Sequence, residues 1–406
     1  MKKLIKYEFK KVWTQITIIS VISLIVVSTI LNILPYFSSG EAINTDGKYI
    51  EGIGSFRSIK NESKDMKGIM DQDYLDNLVK DFNSSKEKLE FEDSLGEKLT
   101  KYDATNHIIN FANYGPDNYN IYMGLDFDFL KSEKNFYNQY KKSMKDTIKA
   151  NNEKNWFKYT DEQMDKINEK IDKLETPFNV DYYQGISYFI WQYGSQYWFV
   201  LIIIAFALSS IFSKDSNNGI DELTLSSKFG RKKNMNARII AGNIFAVVVY
   251  LIFIGTLLIE HGAIASLQGW NQSAQNIWNT CLYNISAGTG VVIMIAQGLV
   301  SVILVTNIVM FISIKVRYVK LTTILSLSTI LLLVRLTYTA NTLQLQLNPI
   351  YYATNLSVGV PNGFEIFYFI GDRMIPYMLA FILLACVYML IIRLLTLIEY
   401  KKYRIN

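Results

Sequence analysis

Cysteine, histidine and proline are scarce in this chain of 406 residues, which contains only two, two and six of them. Two cysteines are too few for the disulfide framework of a small secreted domain, so covalent cross-links play no part in the predicted fold. Two histidines leave little room for a catalytic triad or a histidine-rich metal site. Half of the residues are apolar, which excludes collagen-like and disordered chains.

The common catalytic and nucleotide-binding motifs are also missing. The chain contains no G-x-x-x-x-G-K-[ST], no G-x-S-x-G and no H-E-x-x-H. The adjacent Glu260 and His261 are interpreted as the interfacial end of a helix. In the acidic stretch that starts at Asp71, Asp76 and Phe82 stand where a calcium loop has Gly and Glu. We therefore predict no catalytic residue and no metal-binding residue.

Charge is distributed unevenly along the chain. Residues 35–185 carry 21 Lys or Arg and 28 Asp or Glu, whereas the remainder carries 20 and 8. An acidic insert thus interrupts a basic, apolar frame, which excludes a purely soluble protein. At about 150 residues, the insert is large enough to fold as a domain of its own. The basic frame is explained by a membrane surface, without nucleic acid.

Six apolar segments predict six transmembrane helices, because about 20 apolar residues cross the hydrocarbon of a bilayer. The first segment is longer than the apolar region of a cleaved signal peptide, which has about 7 to 15 residues. Residues 263–285, with Trp270 and Trp278, are expected along the membrane interface. The predicted spans are 12–34, 193–212, 239–259, a fourth that begins near Ser286, 321–343 and 374–392.

Basic residues in the connecting loops predict the orientation of these spans. The amino terminus carries five Lys and residues 213–238 carry six Lys or Arg, whereas Arg373 is the only basic residue of the opposite short loops. Both termini are therefore predicted to be cytoplasmic. The fold class is an all-α polytopic membrane protein of the cell membrane. Its parts are residues 1–34, an extracellular domain at 35–185, and 186–406.

The insert is predicted to be mainly helical, or α+β. Apolar residues at steps of three and four predict helices at 131–150, at 160–175 and around residues 74–82. Thr160 and Gln163 form a capping box at the start of the second of these helices. Residues 42–60 contain three glycines and are expected to form a small hairpin.

The cytoplasmic surface has two amphipathic segments. Residues 2–13 place apolar and basic side chains on opposite faces of a helix, as in a helix that lies among lipid headgroups. Within residues 213–238, Asn218 can cap a short helix that ends before Gly230. We interpret that helix as a docking site for another protein, or else as a simple basic turn.

Ion-coupled transporters need ionisable groups near the middle of the bilayer, where a proton or a sodium ion must stop. The predicted spans contain one ionisable group, Arg335, which lies nearer the outer face. We therefore expect the energy for transport to enter elsewhere. Polar residues in the spans are candidates for a translocation path, or for hydrogen bonds between helices: Gln297, Asn307, Thr322, Ser326 and Arg335.

Several segments follow one another in an order that resembles a known family. After the basic segment 2–13 and the large insert come the loop NGIDELTLSSKFGRKK, the turn KVRYVK, the segment LNPIYY and the ending IEYKKYR. This order resembles the permease subunit of type 2 ABC transporters over residues 1–34 and 186–406. The large insert is similar to that of the permeases in bacterial export and resistance systems for peptides, antibiotics or sodium.

The resemblance implies a division of labour between subunits. A separate cytoplasmic ATPase would bind ATP and Mg, and this chain would hold no cofactor and perform no catalysis. A second permease copy or a paralogue would complete the path, and the cargo would be a peptide, an antimicrobial or a lipid-like amphiphile. The coupling helix that contacts the ATPase would contain Gly219, Ile220, Asp221, Glu222, Leu223, Phe229 and Arg231.

Two alternatives of other classes stay open. The chain can be interpreted as a membrane-anchored sensor or immunity protein that binds a ligand through its extracellular domain. It can also be interpreted as a polytopic membrane enzyme, whose catalytic groups come together only on folding. A neighbouring gene for an ATPase favours the permease, and one for a histidine kinase favours the sensor.

Overall fold

The computed structural model describes residues 1–38, 41–43, 49–62, 64, 67–89, 109, 111–112, 130–153, 158–219, 232–339 and 364–402. The first elements are α1 (Lys2–Val12), α2 (Gln15–Ser38), β1 (Glu41–Ile43), β2 (Tyr49–Glu51), α3 (Ile53–Glu62), β3 (Gly68–Ile69), α4 (Gln72–Leu89), α5 (Glu133–Glu153), α6 (Asp161–Asp172) and β4 (Asn179–Val180). There follow α7 (Gln184–Leu208), α8 (Ser210–Asn217), α9 (Lys232–Ile264), α10 (Ala287–Val316), α11 (Val319–Thr339), β5 (Phe367–Ile370), β6 (Arg373–Pro376) and α12 (Tyr377–Lys401).

Five helical segments of the described residues are long and apolar enough to cross a membrane: α2, α7 with α8, α9, α10 and α12. Helix α11 has 21 residues, but its described apolar part ends at Leu332, so the sixth span stays a prediction. The predicted start of the fourth span is confirmed, because Ser286 caps α10 by accepting the N–H of Thr289 at 3.2 Å. These features make the chain a multi-pass membrane protein.

One predicted span boundary is wrong. The last span does not begin at Met374, because that residue pairs with Phe369 in the antiparallel hairpin of β5 and β6. Hydropathy alone missed the backbone pairing that delays the start of the helix. Helix α9 continues past Ile259 to Ile264, so that Glu260 and His261 lie in its last turns, as expected of a helix end.

The bundle core is rich in tyrosine. The hydroxyl groups of Tyr193 and Tyr250 lie 3.0 Å apart, and Tyr250 also donates to the carbonyl of Ile295 at 2.7 Å. Tyr197 donates to the carbonyl of Gly298 at 2.9 Å. These hydrogen bonds satisfy hydroxyl groups that would be costly to bury alone, and they join α7, α9 and α10.

Three separate stretches of the chain form one layer at one end of the bundle, which we call the insert layer: the described parts of residues 41–183, 265–286 and 364–376. Tyr140 of α5 donates to the carbonyl of Asn279 at 2.6 Å. Tyr159 donates to the carbonyl of Phe367 at 3.0 Å and accepts its N–H at 2.9 Å. Leu282 and Phe367 are buried in the same apolar cluster as α5 and α6.

The predictions for the insert are largely confirmed. Helices α4, α5 and α6 occupy the three predicted regions, and Thr160 and Gln163 form the predicted capping box. The hairpin exists but is shorter than predicted, since it spans β1 and β2 and gives way to helix α3. Trp278, predicted along the membrane interface, has its ring buried in the protein, 5.1 Å from that of Phe364, so it is covered by protein and not by lipid.

The opposite end of the bundle, which we call the amino-terminal face, holds both termini of the described chain. The predicted amphipathic helix 2–13 is confirmed as α1, and the indole of Trp13 just after it lies 5.2 Å from the ring of Phe245 in α9. The ring of Tyr400, near the end of α12, lies 6.0 Å from that of Phe212 in α8. Helix α9, with 33 residues or about 50 Å, connects this face to the insert layer.

Candidate functional site at the base of residues 218–231

Four charged side chains meet on the amino-terminal face and form what we call the loop-base cluster: Glu8, Lys11, Asp215 and Arg238. The guanidinium of Arg238 bonds the carboxylate of Asp215, and its Nε lies 3.5 Å from Oε2 of Glu8. The ammonium of Lys11 lies 3.7 Å from a carboxylate oxygen of Glu8 and 3.7 Å from one of Asp215. The cluster therefore joins α1, α8 and the start of α9.

The cluster is largely shielded from water. The side chains of Glu8 and Arg238 are each 4% exposed, whereas that of Lys11 is 41% exposed. Arg238 also donates to the carbonyl of Ile211 at 3.3 Å, and its guanidinium lies over the ring of Phe212 at 5.4 Å. Two positive and two negative charges balance, which is the condition for burying ions without a large desolvation cost.

A second set of contacts fixes the break between α7 and α8 at Ser209. The hydroxyl of Ser313 in α10 accepts the N–H groups of Phe212 and Ser213 at 3.2 and 3.1 Å, and donates to the carbonyl of Ser209 at 2.7 Å. The hydroxyl of Thr323 in α11 donates to that of Ser209 at 2.8 Å. The N–H groups at the start of α8 are thus satisfied by a neighbouring helix.

The loop-base cluster lies where residues 218–231 leave and rejoin the bundle. Helix α8 ends at Asn217, and the exposed Gly219 follows with a φ of +66°, a conformation that favours glycine at helix ends. Helix α9 begins at Lys232, six residues before Arg238. A displacement of residues 218–231 would therefore pull on α8 and α9, and through the ion pairs on α1.

The predicted coupling residues lie almost entirely outside the described residues. Gly219 is described and belongs to the turn that ends α8, with no other atom close to where a Cβ would stand. The other members of that set are outside the described residues: Ile220, Asp221, Glu222, Leu223, Phe229 and Arg231. The structure thus provides the base of the predicted docking segment, and the docking surface stays a prediction.

The predicted path residues are packed within the bundle of a single chain. Gln297, Thr322 and Ser326 are buried, and the hydroxyls of Thr322 and Ser326 have no hydrogen-bond partner among the described residues. Asn307 is half-buried and donates to Oδ1 of Asn243 at 3.0 Å, in a contact between α10 and α9. The side chain of Arg335 lies outside the described part of the chain.

Sequence reasoning missed the contacts of two charged groups of α9. Arg238 was counted as a loop residue but lies within the helix, and Glu260, at the predicted helix end, is bonded to α2. The only signal was local: Glu8 is the single acidic residue of an otherwise basic helix α1. Its partner Arg238 lies more than 200 residues away, beyond the reach of any periodicity.

No cofactor or metal site emerges from the described residues. No group of three or more His, Cys, Asp or Glu side chains among them could hold a metal ion. Comparison with protein-family models, with curated proteins and with solved structures gives no match.

Proposed function

We propose that this chain is the membrane-spanning permease subunit of an ATP-driven ABC transporter of the cell membrane. It crosses the membrane six times, with both termini in the cytoplasm and the insert layer outside. Its cargo is a peptide, an antimicrobial or a lipid-like amphiphile, which it exports or to which it confers resistance. ATP and Mg bind to a separate cytoplasmic ATPase, and a second permease copy or a paralogue faces this chain across the path.

The observation that carries this proposal is the position of the loop-base cluster. Its ion pairs link both stems of residues 218–231 to helix α1: a buried pair between Arg238 and Glu8, and a more exposed one between Lys11 and Asp215. The pair between Arg238 and Asp215 joins α9 directly to α8. A subunit that pushes on this segment would move three helices together. The amphipathic sequence of residues 219–229 supplies the apolar face that a docked subunit would cover.

The positions of the helix ends support six crossings. Helix α10 ends at Val316 near the loop-base cluster, and α12 starts at Tyr377 next to the insert layer. In this proposal α11 is the span that returns between them. Its support is that Thr323 near the start of α11 contacts Ser209 and that Ile330 belongs to the bundle core.

The proposal predicts an ABC ATPase gene beside this one, and co-expression of the two proteins tests it. We expect the ATPase to co-purify with the wild-type chain, and its hydrolysis rate to rise in the presence of the permease. The double substitution Leu223→Asp with Phe229→Asp replaces two large apolar side chains of the predicted docking segment with charges. It should abolish co-purification of the ATPase and any resistance to the cargo that the transporter confers.

A matched control uses the same loop. Lys228→Asp changes a charge next to Phe229 and keeps all apolar side chains of the segment. It should keep co-purification within about threefold of wild type, as is usual for a charge at the rim of an interface. If no ATPase co-purifies with the wild-type chain, or if the double variant behaves like the control, the proposal fails.

A specific feature favours the sensor or immunity protein as a second candidate. The surface of the insert layer has an open depression of about 490 Å³, lined by polar side chains that include Glu133, Tyr137 and Lys141. This volume falls within the range of small-molecule sites, about 300 to 1,000 Å³. A chain that binds a ligand there, retains function without an ATPase and tolerates the Leu223→Asp and Phe229→Asp substitutions would be a sensor.

A further inference from the structure

The carboxylate of Glu260 lies between α9 and α2, within two helices that are apolar along most of their length. The hydroxyl of Thr29 donates to one of its oxygens, and the amide of Asn32 donates to the other. Both donors come from α2 and both are neutral. They orient the carboxylate but bring no positive charge to it.

A hydrogen-bonded chain holds this arrangement from the side of α7. The amide of Gln196 donates to Oδ1 of Asn32 at 2.6 Å and to Oε1 of Gln192 at 2.7 Å. The hydroxyl of Ser28 donates to Oε1 of Gln196 at 2.6 Å. Asn32, Gln192 and Gln196 are buried, so their side chains are fixed by these bonds.

The aromatic ring of Tyr36 closes the site towards the insert layer. Its hydroxyl bonds Nδ1 of His261, the residue that follows Glu260, and its ring stacks on that of Tyr188 at 5.2 Å. His261 is completely buried, and its Nε2 has no hydrogen-bond partner among the described residues. His261, one residue from Glu260, thus has a ring nitrogen that the described chain leaves unsatisfied.

No described basic side chain compensates the charge of Glu260. Its contacts among the described residues are the two neutral donors, and no ion pair of that part of the chain includes it. A carboxylate can accept about four hydrogen bonds, of which two are made here. An uncompensated charge within a membrane span is costly, and such residues are characteristic of ligand or ion pathways.

The surroundings decide which kind of cation fits. Calcium needs six to eight oxygen ligands, whereas the described residues offer no group of three or more acidic, His or Cys side chains anywhere. Glu260 and Thr29 are half-buried, and the exposed side chains next to them in the sequence are apolar: Ile259 at 73% exposure and Ile30 at 52%. A cation that also carries a hydrocarbon chain suits both the carboxylate and this apolar surface.

We propose that Glu260, with Thr29 and Asn32, binds the ammonium group of a cationic amphiphile at the insert-layer end of the cleft between α2 and α9. The hydrocarbon chain of the ligand lies against the exposed apolar side chains of the two helices. As a cargo site it rests on the proposed permease function, but binding itself needs no ATPase. A negative result here would therefore leave the proposed function untouched.

Photolabelling of the full-length chain in nanodiscs of phosphatidylglycerol tests this site. The probes are a long-chain primary amine and the alcohol of the same chain length, each with a diazirine on the chain. Labelling of peptides from α2 and α9 is measured relative to that of the lipid-facing peptides of α12, which corrects for enrichment of the amine in the membrane. We expect a ratio of amine to alcohol of about tenfold, as for a charge-assisted hydrogen bond.

The variant Glu260→Gln removes the charge and keeps the size of the side chain, so the excess of amine labelling should disappear. Glu399→Gln, at the other end of the bundle, is the matched control and should keep it. Equal labelling by amine and alcohol in the wild-type chain overturns the proposal without relying on any variant. An excess of amine labelling that persists in the Glu260→Gln variant overturns the proposal as well, provided that this variant elutes from a size-exclusion column at the same volume as the wild-type chain.

The same experiment identifies the source of the ammonium group. Half of the phosphatidylglycerol is replaced by phosphatidylethanolamine, whose headgroup is itself a primary ammonium. If the excess labelling by the amine disappears, the lipid headgroup occupies the site. If the excess remains, the site prefers a free cationic amphiphile, which is the chemistry of a cationic cargo. Both results uphold the site.

Discussion

Arg238 and Asp215 bond each other inside the protein although 23 residues separate them, and they enclose the segment 218–231. One belongs to the first turns of α9 and the other to α8. Glu8 of α1 shares the same guanidinium at 3.5 Å. The pair therefore links α8 to α9 where the enclosed segment joins them, and Glu8 extends that link to α1.

Replacement of Arg238 by Ala tests how tightly the cluster holds these helices. The substitution leaves the buried carboxylates of Glu8 and Asp215 without their shared partner, so we expect a loss of about 3 to 5 kcal/mol in unfolding free energy. Thermal unfolding of the purified chain in detergent measures it. Lys11→Ala removes a half-exposed cation of the same cluster and should cost less than about 1 kcal/mol. Equal losses of unfolding free energy in Arg238→Ala and Lys11→Ala would show that water screens the whole cluster.

Gly298 is a packing requirement of the bundle core. A Cβ at this position would overlap the hydroxyl of Tyr193 and lie 2.6 Å from that of Tyr250. We expect Gly298→Ala to destabilise the chain by about 1 to 3 kcal/mol, because the tyrosines must shift. Gly255→Ala in α9 is the control: nothing lies within 4 Å of its Cβ, and alanine is the better helix former. In thermal unfolding, Gly298→Ala should lower the stability of the chain, whereas Gly255→Ala should raise it slightly.

Glu365 makes the stability of the insert layer depend on pH. Its carboxyl is 3% exposed, and burial raises its pKa from 4.5 to about 7 although a hydrogen bond from Thr280 acts in the other direction. Between these two values the folded chain retains a proton that the unfolded chain has lost. Stability should therefore fall as pH rises from about 4.5 to about 7, and level off above, with a total change of about 3 kcal/mol.

The variant Glu365→Gln removes this titration and keeps the shape of the side chain. Unfolding of both proteins is followed across the same pH range, and the difference between the two curves isolates the contribution of Glu365. We expect the wild-type chain to lose stability relative to the variant as pH rises. A constant difference across the range would show that the carboxyl titrates normally.

The bundle could be predicted largely from the sequence, because apolar runs of membrane length have few other structures open to them. Thr160 also marked a helix start correctly, since capping depends on residues three positions apart, and the end of a polar stretch placed the start of α10 near Ser286. Such signals are local. They report on a helix and its ends, whatever the rest of the chain does.

The charged sites could not be predicted in the same way. Glu8 meets Arg238, and Glu260 meets Asn32, only after distant helices have packed together. A hydropathy window treats such a residue as the end of a span, because it weighs the cost of the charge without its partners. The contact of Trp278 was missed for a similar reason: its indole would suit a membrane interface, but Phe364, which covers it, lies far away in the sequence.

The central claim is that residues 218–231 lie in the cytoplasm and are covered there by another subunit. Single-cysteine labelling with a membrane-impermeant maleimide tests it, in a Cys386→Ser background in which the remaining native thiol, Cys281, is buried. The account predicts that the variant Asp165→Cys, in the insert layer, reacts in intact cells. The variant Ser227→Cys should react only in inverted vesicles and be protected there when the ATPase is co-expressed. Reaction of Ser227→Cys in intact cells, or no protection by the ATPase, would contradict the account.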